Sequence, residues 1–343
     1  MLRTFDILLF SLFSGDRQEA ILFGVFLAVI VVFMVVDLGL FHKQAHKITT
    51  KSALYQSIFW VSISTLFGLL IYFNGPYAHL EDGVPSNLSG SDAAVLYFSV
   101  YLTEYALSVD NIFVILLILK YFKVDETYYH KILFWGILGA IVFRAIFILF
   151  VGALIHNFHW ILYIFGVFLI YSGIRIYFED GDEKIEPEKN PILKICRRYL
   201  PISATDKDGQ FFFREGGKLM FTPLFLVIIL IETTDLIFAV DSIPAAFAIT
   251  QNEFLIYTSN IFAVMGLRAM FFLLAGIIDK FYLLQKGLSI ILFFIGAKMM
   301  LEIFDIELDA LLSFTVIIAT LTLSIVFSVI IPRREKTAEA EEK

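Results

Sequence analysis

Glu104-Tyr-Ala-Leu-Ser-Val-Asp110-Asn111-Ile112 and Asp235-Leu-Ile-Phe-Ala-Val-Asp241-Ser242-Ile243 decide how this chain is read. Each stretch sets two carboxylates six residues apart inside a run apolar enough to lie in a lipid bilayer. A charged acid near mid-membrane costs about 2.5–3.5 kcal/mol on the lenient insertion scale. Five such acids, with Glu232 counted, would cost on the order of 12–18 kcal/mol if uncompensated, which rivals the stability of a whole domain. Something must offset that charge, and a bound cation heads the candidates.

The surrounding sequence is membrane-like throughout. The 343 residues are 59% hydrophobic and 17% charged, with a mean hydropathy of +0.82. This predicts an all-α polytopic membrane protein. Hydropathy places about nine spans, at roughly 20–41, 53–73, 93–119, 131–155, 159–178, 221–249, 256–278, 283–303 and 308–331. The net charge of −7 resides in loops and offers no surface for nucleic acid. The single cysteine, Cys196, excludes an internal disulfide and a thiolate-rich soft-metal site. Ile7 to Phe13 is apolar but flanked by Asp6 and Asp16, and reads as an interfacial segment rather than a signal peptide.

Lysine and arginine set the orientation. Lys43, Lys47 and Lys51 follow the first span, Lys120, Lys123 and Lys131 the third, Lys280 and Lys286 the seventh, and Arg333, Arg334 and Lys336 the last. The alternate loops carry Glu81, Asp82 and Asp92, or Asp305, Glu307 and Asp309. The N-terminus is therefore expected outside and the C-terminus in the cytoplasm, in a bacterial inner membrane. The long loop 179–220 then lies in the cytoplasm. Its run Glu179 to Lys189 is charged, and Glu215-Gly216-Gly217 between apolar residues signals a short β-hairpin. The tail after Pro332 is charged.

An internal repeat organises the rest. Besides the acidic motifs, Arg144-Ala-Ile-Phe-Ile-Leu-Phe-Val-Gly152 matches Arg268-Ala-Met-Phe-Phe-Leu-Leu-Ala-Gly276. Gly173-Ile-Arg175 with Glu179 then matches Gly296-Ala-Lys298 with Glu302 after a one-residue gap. The chain thus divides into 1–92 (an N-terminal segment and two peripheral spans), 93–178 (repeat A), 179–220 (the cytoplasmic loop), 221–303 (repeat B) and 304–343 (the last span and tail). Three spans per repeat force the second copy to run upside down, a transporter architecture with its site at the repeat interface.

Helical geometry sorts the acids. Six residues turn a side chain through about 240°, so the two acids of each motif diverge on a regular helix. Glu104, Ser108 and Asn111 share one stripe; Glu232, Asp235 and Ser242 share another. Convergence of all the acids would need unwinding near Ser108–Asn111 and before Pro244, which lacks an N–H for the Val240 carbonyl. The available donors are oxygens, which suit Mn²⁺, Ca²⁺ or Mg²⁺ without separating them. The structural alternative is a lattice in which Arg144 and Arg268 neutralise acids. It leaves excess negative charge, since five acids face two central arginines. Those arginines and Ser242 are read as gating or pairing groups. Asp37, near the cytoplasmic end of the first span, reads as a water-facing acid more than an access residue.

The acidic motifs, with Glu232-Thr-Thr-Asp235, Asp241-Ser242-Ile243-Pro244 and Asn260-Ile-Phe-Ala-Val-Met-Gly-Leu-Arg268, resemble the TerC family of integral membrane proteins. The resemblance covers about 20–331. It implies kinship with the LysE-type exporter superfamily, Mn²⁺ export as the activity, and a metal site at Glu104, Asp110, Asn111, Glu232, Asp235 and Asp241. The expected function is a secondary transporter, not an enzyme, that exports Mn²⁺ (or Ca²⁺ or Mg²⁺) by proton antiport with no permanent cofactor. A homodimer is left open. The alternative is a membrane scaffold in a tellurium-resistance or envelope-stress complex, acting through loop 179–220. An intramembrane aspartyl protease is disfavoured because no GxGD segment is present.

Overall fold

A backbone inside hydrocarbon must satisfy its own hydrogen bonds, and long apolar runs therefore become helices. The computed structural model describes residues 17–41, 50–75, 77–81, 84–158, 160–178, 191–203, 209–215, 217–274, 283–304, 306 and 308–330. The side chains of Asp37, Asp110 and Glu302 lie outside the described residues, as do Ile7–Phe13, Lys43, Lys47, Glu179–Lys189, Gly276, Lys280 and the tail after Pro332.

The helices are α1 (Arg17–Phe41), α2 (Thr50–Asn74), α3 (Gly90–Tyr121), α4 (Tyr129–Asn157), α5 (Ile161–Phe178), α6 (Pro191–Tyr199), α7 (Pro223–Ile249), α8 (Glu253–Leu274), α9 (Leu284–Leu301) and α10 (Ala310–Ile330). Among the described residues, α2 to α5 and α7 to α10 make eight helices long and apolar enough to cross a membrane. The first expected span corresponds to α1, whose apolar stretch Ile21–Val35 is shorter. The protein is thus a mostly helical polytopic membrane protein. Large apolar side chains such as Ile237 on α7 and Phe150 on α4 remain exposed, as a lipid-facing surface requires.

Packing crosses between the two halves. α3 lies against α8 and α7, α4 against α7 and α8, and α5 most extensively against α9. α2 packs on α8 and α3, and α10 on α9 and α3. At the α5–α9 crossing glycine lets the backbones touch: a Cβ on Gly166 would stand 3.3 Å from the Gly296 carbonyl oxygen, and one on Gly173 only 2.7 Å from that of Ser289.

Two short hairpins interrupt the helices. β1 (Tyr77–Glu81) pairs antiparallel with β2 (Val84–Leu88) between α2 and α3, an element whose sequence signal is the Asp82-Gly83 dipeptide between the strands. β3 (Phe212–Glu215) pairs with β4 (Lys218–Phe221) around the expected turn, where Gly217 takes a left-handed φ of 78°.

The expected unwinding does not occur. α3 is continuously helical through Ser108–Asn111, and α7 continues through Pro244. Proline removes one donor from the ladder, whereas a break would strand several backbone groups in a medium without water. Ile243 to Ile249 are also buried against neighbouring helices, which holds the turn around Pro244. Asp235 and Asp241 of the second motif therefore point apart on α7.

Candidate functional site

The stripes read from the sequence place Glu104 and Asn111 of α3 toward Asp235 of α7, and Arg144 of α4 enters between them. Arg144 is 1% exposed and spends every guanidinium nitrogen on this cluster. Nη2 donates to Asp235 Oδ1 at 2.9 Å and Nε to Asp235 Oδ2 at 3.2 Å, a two-pronged grip on one carboxylate. Nη1 donates to Glu104 Oε1 and, at 3.1 Å, to Asn260 Oδ1 of α8. Asn260 Nδ2 returns a bond to Glu104 Oε2 at 3.0 Å, and Asn111 Nδ2 donates to Asp235 Oδ1 at 2.8 Å. Four helices are tied by one guanidinium and two amides. With both carboxylates ionised, two negative charges face one positive charge, leaving one in excess.

The other candidate residues flank this network. Glu232 lies one helical turn before Asp235, where Gly139 of α4 makes room: a Cβ there would collide with the Glu232 carboxylate. Its Oε2 is buried with no hydrogen-bond partner. So are Asn111 Oδ1, Ser108 Oγ, Thr103 Oγ1 and Ser242 Oγ. These orphans are oxygens on α3 and α7, and each costs roughly 1–3 kcal/mol while unsatisfied. Asp241 points to the opposite side of α7, where Ser172 Oγ of α5 donates to its Oδ1 at 3.2 Å and Arg175 is its nearby positive charge. The structure thus gathers Glu104, Asn111 and Asp235 with Arg144, sets Glu232 and Ser242 alongside, and sends Asp241 elsewhere. Arg268 is half-buried and borders a separate cavity of about 230 Å³, with His130, Gln56 and the Trp60 ring among its walls.

Among the described residues, no three of His, Cys, Asp and Glu stand close enough together to hold a metal ion. The Arg144 guanidinium occupies the space between the two central carboxylates. What the cluster offers chemically is a pair of carboxylates, an amide oxygen and hydroxyls in a dry interior, a hard-oxygen set. Asn260 was noticed in the sequence only as part of a longer motif. Its signal was there to read: an amide within the buried run Leu255 to Met270 needs a partner.

Comparison with known proteins places this architecture. Residues 89–336, well over half of the chain, match the integral membrane protein TerC family. An uncharacterized membrane protein (STKORF319) of Myxococcus xanthus is 39% identical over 317 residues, covering 92% of this chain and 94% of its own. One from Rickettsia bellii is 41% identical over 306 residues, covering 89% and 96%. The putative membrane-bound redox modulator Alx of Escherichia coli K12 is 42% identical over 282 residues, covering 82% and 86%. No solved structure matches. The chain belongs to the integral membrane protein TerC family.

Proposed function

We propose that the protein exports a divalent cation from the cytoplasm, with Mn²⁺ the preferred cargo, in exchange for protons. The observation that carries this reading is the buried Glu104–Arg144–Asp235 cluster with its excess negative charge, ringed by oxygen atoms that lack partners. Buried charge without full compensation marks ion pathways in membrane proteins. In this reading Arg144 stands in for the cargo and holds the two halves together between transport events. An arriving cation takes over the Asp235 and Glu104 oxygens, with Asn111 Oδ1 and Glu232 Oε2 as further ligands, and the guanidinium withdraws. Protons replace the cation on the same carboxylates, because metal binding requires their deprotonated form.

Alternating access follows from an inverted repeat of α3–α5 and α7–α9. The packing supports this relation: exchanging the two triples turns the α3–α8 contact into α7–α4 and leaves α5–α9 in place. The offset that aligns Gly173 with Gly296 also aligns Gly166 with Ser289, so the two glycine contacts of that crossing are images of each other. The orientation with the N-terminus outside completes the scheme, with α7 running from the cytoplasm outward.

A relative's name speaks of redox modulation. Thiol chemistry in this chain would rest on Cys196 alone, in α6 and outside the network, which favours export. A scaffold role would instead put the weight on α6 and the β3–β4 hairpin. Uptake of labelled Mn²⁺ into everted membrane vesicles, with and without a pH gradient, separates these readings. Wild type should accumulate Mn²⁺ when the vesicle interior is acidic, and Glu232→Gln should cut the rate at least tenfold, about 1.4 kcal/mol of barrier. Equal uptake by well-expressed wild type, Glu232→Gln and Asp235→Asn, or none in any of them, would sink the transport reading.

A further inference from the structure

α1 joins the rest of the bundle unevenly along its length. Phe26, 1% exposed, packs its ring on Phe67 of α2 and on Tyr257 and Phe262 of α8. Two turns further along, Phe33 sets its ring edge-on against Phe59 and Trp60 of α2, at 5.1 and 5.2 Å between centroids. There the packing leaves the cavity of about 230 Å³ between α1, α2, α4 and α8. The rings of Phe33, Phe59, Trp60 and Phe134 wall it. Arg268 of α8, His130 of α4 and Gln56 of α2 bring polar groups to it, and none of the ten described lining residues carries a carboxylate.

Counting reversals from helix to helix puts these three polar groups on one side of the membrane. Gln56 stands six residues after the start of α2, His130 one after the start of α4, and Arg268 six before the end of α8. Lys51, Lys123 and Lys131 lie on that same side, the cytoplasmic one in the proposed orientation. Six residues of helix span about 9 Å, so the cavity runs from the helix ends to just inside the hydrocarbon. The Gln56 amide meets no hydrogen-bond partner among the described residues. Arg268 and His130 also engage neighbouring groups, and the five N–H donors of a guanidinium allow a further acceptor. Phe59 is 43% exposed, which leaves its edge of the cavity facing lipid. At about 230 Å³ the cavity falls below the roughly 300–1,000 Å³ that encloses a whole small molecule. It suits one polar part of a ligand whose apolar remainder stays in the bilayer.

We propose that this cavity binds the phosphate of an anionic glycerophospholipid from the lysine-rich side of the membrane. The inference stands apart from the export reading. Basic pockets between membrane helices on the lysine-rich side take anionic headgroups, and a guanidinium fork matches two phosphate oxygens at once. Arg268 reaches up from its depth to supply that fork, as long basic side chains do near helix ends. The Gln56 amide donates to a third oxygen, and the acyl chains leave past the exposed ring of Phe59. A free phosphate shares the charge chemistry, but the aromatic walls and the lipid-facing edge favour the lipid. Bound there, the lipid ties α1 and α2 to α4 and α8 where the protein's own packing opens.

Native mass spectrometry of purified, delipidated full-length protein in detergent, titrated with phosphatidylglycerol or phosphatidylcholine, tests this. Wild type should bind one phosphatidylglycerol at least about tenfold more tightly than phosphatidylcholine. Arg268→Gln should weaken phosphatidylglycerol at least about tenfold, and Gln56→Leu about threefold. Gln56→Leu leaves every charge in place and decides the matter if Arg268→Gln does not fold. Arg214→Gln removes one charge from the exposed β3–β4 hairpin and should leave binding within about twofold of wild type. Equal binding of the two lipids, unaltered phosphatidylglycerol binding in Gln56→Leu, or a loss in Arg214→Gln as large as in Arg268→Gln overturns the site. Displacement of the bound lipid by millimolar inorganic phosphate overturns the lipid as its occupant.

Discussion

Arg144 and Arg268 open similar stretches of sequence and meet different surroundings. Arg144 is buried among two carboxylates and an amide; Arg268, half-buried, borders an aromatic-walled cavity. The matching positions around them explain the difference. Where α8 has Asn260 and Ala263, α4 has Gly136 and Gly139, and the smaller residues let α7 bring Glu232 and Asp235 close to α4. Near-symmetry in sequence has become asymmetry in burial, with Arg144 enclosed at Glu104 and Asp235 and Arg268 half-buried at the cavity wall.

The largest expected effect tests the asymmetry directly. Arg144→Met should cost about 3–5 kcal/mol, because it leaves two carboxylates buried without their cation. Arg268→Met should cost about 1–2 kcal/mol. Denaturant titration of both variants in detergent measures the gap, and equal losses would break the comparison. Next comes the room made for Glu232. Gly139→Leu should destabilise by about 1–3 kcal/mol through overpacking, whereas Gly24→Leu, with open space around its Cβ position, should be nearly neutral by the same titration. A similar cost is expected at the α5–α9 crossing. Gly173→Ala and Gly296→Ala, whose Cβ atoms would stand 2.7 and 2.6 Å from facing carbonyl oxygens, should each lower stability by about 1–3 kcal/mol, and matched losses would support the proposed pseudo-two-fold relation. The smallest effect is none: Cys196→Ser should leave Mn²⁺ uptake into vesicles unchanged, and a lost activity would reopen the thiol reading.

Much of this was legible in the sequence, for physical reasons that can be named. Apolar length specified the helices, and the period of 3.6 residues gave the two stripes that bring Asn111 to Asp235. The cost of a lone arginine in oil marked Arg144 as a partner of the acids. What failed was the inference that five acids must converge. It credited proline with more disruption than one missing donor causes, and Asp241 found Ser172 and Arg175 on another face instead. Ser172 escaped because a single hydroxyl carries little hydropathy signal; only its three-dimensional partner Asp241 reveals its role. The β1–β2 hairpin escaped although Asp82-Gly83 between its strands is a strong turn dipeptide. Its strands are five residues each, and the run holds no pattern as strong as the neighbouring helices.

The buried cluster also constrains how the chain can be made. Its members leave the ribosome in the order Glu104, Asn111, Arg144, Asp235, Asn260. Glu104 and Arg144 lie on consecutive helices, so acid and base can neutralise each other as a helical hairpin while α7 is still unsynthesised. Asp235 then enters the bilayer with a guanidinium already waiting, and Asn260 arrives last to close the set. Were the arginine on α8 instead, both acids would have to cross into lipid alone.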